Sequence, residues 1–110
     1  MADAEPFVLP GRVQVGPYAY QLWRDSGLDT DHVYGETDNS KMRIAFSSPH
    51  LCTKEHLIVT LVHELMHATA FVYDLELEES SVKRLAHGIT QGLQSAGLLP
   101  ERAVLEGEDA

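Results

Sequence analysis

The chain has 110 residues, enough for one domain around one modest core and too few for a second. Apolar residues make up 44%, a globular rather than a disordered composition. Seventeen acidic against eight basic side chains give a formal net charge of -9. With no Lys/Arg cluster to neutralise phosphates, nucleic acid and anionic membrane are argued against as partners.

The start, MADAEPFVLPGRVQVG, has neither a basic segment nor an apolar run of the kind that opens a secretory signal, and no apolar stretch approaches membrane-spanning length. A soluble, cytoplasmic protein is expected. Residues 1–10, with Pro6 and Pro10 and no periodicity, predict a flexible N-terminal arm. Alternation in Arg12–Val15 and again in Tyr18–Trp23, separated by Gly16-Pro17, predicts two strands joined by a tight turn. Asp25–Asp31 reads as a polar loop. Val33–Glu36 and Met42–Phe46, separated by Asp38-Asn39-Ser40, predict a second hairpin, with Met42, Ile44 and Phe46 on one face.

Thr53 is a good N-cap for a helix reaching about Tyr73, with Glu55 in its first turn. Leu57, Ile58, Leu61, Leu65, Met66, Ala68 and Phe71 make it apolar nearly all round, so it belongs at the centre of the domain. The acidic link Asp74–Glu78 leads to a second helix ending near Ala96-Gly97, with an apolar stripe of Val82, Leu85, Ala86, Ile89 and Leu93. Residues 98–110, with Glu101, Glu106, Glu108 and Asp109, read as a solvated acidic tail. Strands first and helices second predict an α+β domain over residues 11–97: a small antiparallel sheet of about four strands packed on two helices.

The central helix carries His63-Glu64-Leu65-Met66-His67. At about 100° per residue, His63 and His67 share a face one turn apart and converge on a point just off the helix, which suits a tetrahedral zinc ion. Glu64 projects to the side, where its carboxylate reaches a water without displacing either ligand. Two imidazoles and a carboxylate buried in a greasy helix without partners would cost several kcal/mol, which favours a ligand over two idle core histidines. Cys52 is the single cysteine, so an intrachain disulfide and a thiolate zinc cluster are excluded.

This motif, within Thr60-Leu61-Val62-His63-Glu64-Leu65-Met66-His67-Ala68, resembles that of the zincin metallopeptidases. The order of sheet, active-site helix and second helix is similar to the stripped-down zincins often encoded by bacteriophages; the SprT-like and ImmA/IrrE peptidases look more distant. The resemblance implies a minimal zincin-like fold, one Zn2+ ion held by His63 and His67, Glu64 as general base, and a peptide or protein substrate added as a strand to a sheet edge, either Met42–Phe46 or Val33–Glu36. It leaves the third ligand open. His87 holds the place of the glutamate in thermolysin-like enzymes and lies level with His63 if the helices pack antiparallel, with Gln91 one turn on as a supporting partner. Glu79, in the first turn of the second helix, is the competing candidate, by likeness to the later-helix glutamate of ImmA/IrrE-type enzymes. Against Glu79, its level matches the end of the first helix, about 10 Å from the metal unless the helices cross steeply. Against His87, it lies about 140° from Val82, outside the centre of the packed face. Asp74 and Glu78 are lesser candidates. Tyr73 stands where metzincin-like patterns have a third histidine.

Two functional readings follow: a zinc metallopeptidase with a shallow, open cleft, and a non-catalytic zinc protein whose metal staples two helices. A plain interaction module without metal is a third. Tyr34 and Tyr73 are candidate donors to an oxyanion, although each reads more simply as a core or rim aromatic. Trp23 is expected in the core, and Cys52 as an inert thiol rather than a reactive one. His32, His50 and His56 have no partner spacing. Oligomeric state and substrate are not legible.

Overall fold

In the computed structural model, which describes residues 5–108, the first half of the chain forms short strands: β1 (Phe7–Leu9), β2 (Arg12–Val15), β3 (Tyr18–Arg24), β4 (Gly35–Asp38) and β5 (Arg43–Phe46). The second half holds α1 (Leu57–Val72), α2 (Glu79–Ser95) and a last strand, β6 (Ala103–Leu105). The α+β class read from the sequence is the one observed, with a four-stranded sheet carrying two helices.

Both expected hairpins form, the second with its first strand shifted to Gly35–Asp38, which leaves Val33 and Tyr34 outside it and takes in Asp38, expected in the turn. β2 pairs antiparallel with β3, and β4 antiparallel with β5. Gly16 turns the first with φ +56, and a Cβ there would lie 2.8 Å from Val72 Cγ1, so glycine answers both demands. The sheet is nevertheless mixed, not antiparallel, because β3 and β5 pair in parallel in the order β2-β3-β5-β4. The segment read as a polar loop is a short 3-10 helix, Ser26–Asp31, which carries the chain past the place β5 later fills. That insertion makes β5 an inner strand and leaves β4 at the edge. As an inner strand β5 buries Ile44, Ala45 and Phe46 alike, while Met42 falls outside it at φ +52.

The flanks differ from expectation. β1 and β6 pair in parallel, Phe7 opposite Ala103 and Leu9 opposite Leu105, and Ala103, Val104 and Leu105 are all buried. Leu9, Ala103 and Leu105 belong to the core, so residues 11–97 are too narrow a domain. The reason is length: a three-residue apolar strand amid acidic residues has no periodicity to detect. Glu108 is also held, accepting from Arg24 Nε at 2.7 Å and Nη2 at 3.2 Å. Residues 1–4 of the expected arm, and Asp109 of the expected tail, lie outside the described residues.

The first helix starts at Leu57, four residues after the expected cap. Residues 54–56 form a turn, with His56 N donating to the Thr53 carbonyl at 3.0 Å, and the Lys54 carbonyl accepts from Ala103 N of the last strand at 3.0 Å instead of from the next helical turn. Leu57, Ile58, Leu61 and Ala68 face the core, whereas Phe71 is exposed, so α1 is not buried all round. On α2, Val82, Ala86 and Thr90 are buried while Leu85 and Ile89 are exposed, a face rotated from the expected stripe. Gly97 ends α2 at φ +76, as the sequence indicated. Trp23 is half-buried beneath the Arg43 guanidinium, 4.8 Å from its ring centroid, and Tyr20 takes the core position instead. Among the described residues no helix is long and apolar enough to cross a membrane.

Candidate metal centre

The two motif histidines lie on the part of α1 that faces away from the sheet's centre and towards β4 and α2. Their Nε2 atoms are 3.3 Å apart. Glu79, at the start of α2, places one carboxylate oxygen 2.7 Å from His63 Nε2 and the other 2.7 Å from His67 Nε2. Among the described residues, this is the one group of three such side chains with ligand atoms all within 4.8 Å of one another.

Glu79, not His87, therefore meets the histidine pair. The expectation that Glu79 would lie too far away assumed that α2 begins where α1 stops. Instead Asp74, at φ +54, ends α1, and the link to an extended Glu78 carries no regular structure. Extended chain advances about 3.3 Å per residue, so four residues can cover the distance back to His67. His87 lies two turns beyond Glu79, exposed on the wall of the neighbouring cleft. Neither Asp74 nor Glu78 joins the group. Gln91, a further turn along, is exposed.

Glu64 is buried, and its position is fixed from β4. Thr37 Oγ1 lies 2.8 Å from Glu64 Oε1 and 3.2 Å from the Glu64 carbonyl. Burial raises the Glu64 pKa; the Thr37 hydrogen bond and the nearby imidazoles oppose that rise without cancelling it. Gly35 lets β4 approach this closely, because a Cβ there would meet Thr60 Cγ2 at 2.7 Å and Glu64 Cγ at 3.2 Å. The sequence reading missed both residues. Their spacing, two apart on a strand, puts them on one face, but nothing local ties that face to Glu64.

The donor set fits a zinc ion. Bonds of about 2.0–2.1 Å set a tetrahedral edge of about 3.3–3.4 Å, which is the separation of the two Nε2 atoms. The 2.7 Å contacts to Glu79 are those of charge-assisted hydrogen bonds, so imidazole protons and a metal compete for the same lone pairs. The group is also open. The Glu79 side chain is 66% exposed, against 20% and 30% for His63 and His67, which leaves one side accessible to water.

Clefts flank the group on both sides. One of about 460 Å³ is lined by Val33, Tyr34, Val59, Lys83 and His87 among others. The other, of about 310 Å³, includes Glu36, Thr37, Asn39 and His67. Both share Gly35, His63, Glu64 and Glu79, so the centre sits mid-trough along edge strand β4. Of the two expected edges, β4 is the one that borders the site, and β5 is interior.

The remaining candidates separate cleanly. Tyr34 lines the larger cleft, packed edge-on to His56 at 5.3 Å between centroids. His32 and His56 line it too. Tyr73 packs beside Gly16, away from both clefts. Cys52 is fully buried with Sγ 3.6 Å from Thr60 Oγ1, and burial raises its pKa, which makes it a poor nucleophile.

Comparison with protein-family models, with curated proteins and with solved structures returned no match, so the site is read from its own chemistry.

Proposed function

We propose that this protein is a zinc-dependent peptidase, a minimal relative of the zincins working in the cytoplasm. The observation that carries the reading is the convergence of His63, His67 and Glu79 on one open point beside a buried, oriented carboxylate. His63, His67 and Glu79 would hold one Zn2+ ion, whose bound state supplies an acidified water and polarises a carbonyl. Beside that ion Glu64 would accept a proton from the attacking water and return it to the departing amine. Thr37 keeps the carboxylate aimed, and the trough along β4 receives an extended peptide as an added strand.

A second reading keeps the zinc and omits the chemistry. It draws on α2, which buries Val82, Ala86 and Thr90 and would gain from a metal staple to α1. Against it stands the exposed Glu79, because closed structural sites leave no such opening. Glu64→Gln separates the two. The peptidase reading predicts a protein that still binds one zinc and cleaves peptides about 10²–10⁴-fold more slowly. No cleavage by the zinc-loaded wild type leaves the structural reading in place, whereas unchanged cleavage by the variant removes Glu64 from the role of base.

A further inference from the structure

The two halves of the trough differ in charge. The larger cleft holds Lys83, and three more imidazoles, His32, His56 and His87, reach it from separate elements. Glu64 and Glu79 are the carboxylates in its lining, and both are turned to partners: Glu64 to Thr37, Glu79 to the two motif histidines. Lys83 has no ion-pair partner among the described residues. Glu79, Lys83 and His87 follow one another at intervals of four on α2, so a single helix face presents the metal-binding carboxylate, then a cation, then an imidazole. Val33, Tyr34 and Val59 supply apolar surface between them. The smaller cleft has no lysine or arginine and carries Glu36 instead.

We propose that the larger cleft is a carboxylate-selective subsite in which Lys83 pairs with an anionic group of the substrate, either an acidic side chain or the chain's own C-terminus. The proposal rests on the peptidase reading and names the substrate class within it. In a chain of net charge -9, an anion is repelled by most of the surface, so a cation beside the centre selects strongly for where that anion sits. The apolar wall covers the methylenes of a glutamate or the body of a terminal residue, and the far cleft with Glu36 disfavours the reversed placement.

The test uses the full zinc-loaded chain and peptides that differ at one scanned position as Glu, Gln or Lys, each with a free or an amidated C-terminus. The expected result is a kcat/KM advantage for Glu over Gln of about two- to fivefold at one position, falling as salt is raised. If the terminus is the natural anion, the advantage follows the free acid over the amide instead. Lys83→Glu should invert the order so that the Lys peptide is preferred. Arg84→Glu makes the same charge change beside Leu85 and Ile89 in a different depression and should leave the order intact. Equal rates across the series, or a preference that survives Lys83→Glu, overturns the subsite. Affinities of the same peptides for zinc-loaded Glu64→Gln, read by fluorescence anisotropy, give the answer without turnover. Absence of cleavage by the wild type overturns the peptidase reading; the subsite then stands or falls on whether those affinities rank Glu or free acid first.

Discussion

The two walls of the candidate centre are built differently. The α1–β4 wall is part of the core: Glu64 is 6% exposed, Thr60 is buried beside it, and β4 passes so close that residue 35 has no room for a side chain. The α2 wall lies on the surface, with an exposed Glu79 and exposed Leu85 and Ile89 around a narrow buried face. Under the proposed function, the buried wall would hold the proton-transfer group in place and the exposed wall would leave room for a peptide.

The largest expected effect is on metal affinity, and it separates the walls. His63→Ala should weaken zinc binding more than about 100-fold, since even supporting partners of ligands are worth about 10–100-fold. Glu79→Ala should cost less, about tenfold to 100-fold by the same scale, because water reaches its exposed position readily. Calorimetric titration of both variants checks the order; an Ala at 79 that binds zinc as wild type removes α2 from the centre.

Zinc should also stabilise the exposed wall more than the buried one. At a free concentration of 100 times its Kd the ion adds about 2.7 kcal/mol to folding. Hydrogen exchange with and without a chelator should show protection lost mainly across Glu79–Ser95, with Leu57–Val72 little changed. Equal loss in both helices would mean that they open as one unit.

Two glycine substitutions sharpen the contrast further. Gly35→Ala should destabilise by about 1–3 kcal/mol and displace Glu64, because the methyl meets Thr60 Cγ2 at 2.7 Å. Gly92→Ala, on α2 with nothing within 4 Å, should stabilise by about 0.4–1 kcal/mol through helix propensity and a less flexible unfolded chain. Denaturant midpoints measure both, and a Gly35→Ala protein as stable as wild type would contradict the close approach.

The smallest effect concerns the loop before α1. Asp29 accepts from the Ser48 hydroxyl and, at 2.9 Å, from Ser48 N, and those hydrogen bonds lower its pKa against a smaller opposing effect of burial. A depressed folded-state pKa contributes stability that is present above the unfolded value, about 3.9, and lost as pH falls through the folded one. Asp29→Asn should therefore flatten the acid limb of the stability curve below about pH 4. A slope unchanged from wild type would place the acid sensitivity elsewhere.

The centre was legible in the sequence where its residues lie close together in the chain. His63, Glu64 and His67 sit on one helix, and 3.6-residue periodicity alone brings the two imidazoles together. The hairpins showed through alternation and turn residues, and the end of α2 through Gly97. What stayed hidden depended on chain path. The parallel β3–β5 pairing, the return of the 74–78 link that delivers Glu79, and the β1–β6 pair between segments about a hundred residues apart leave no local period. Thr37 was missed for the same reason, since its contact with Glu64 spans two elements.

The most direct measurement is a crystal structure of the zinc-loaded protein with anomalous data at the zinc edge. The account predicts one peak in contact with His63 Nε2, His67 Nε2 and the Glu79 carboxylate, with a water on the exposed side. A peak ligated by His87 while Glu79 points to solvent, or no peak under excess zinc, would contradict it.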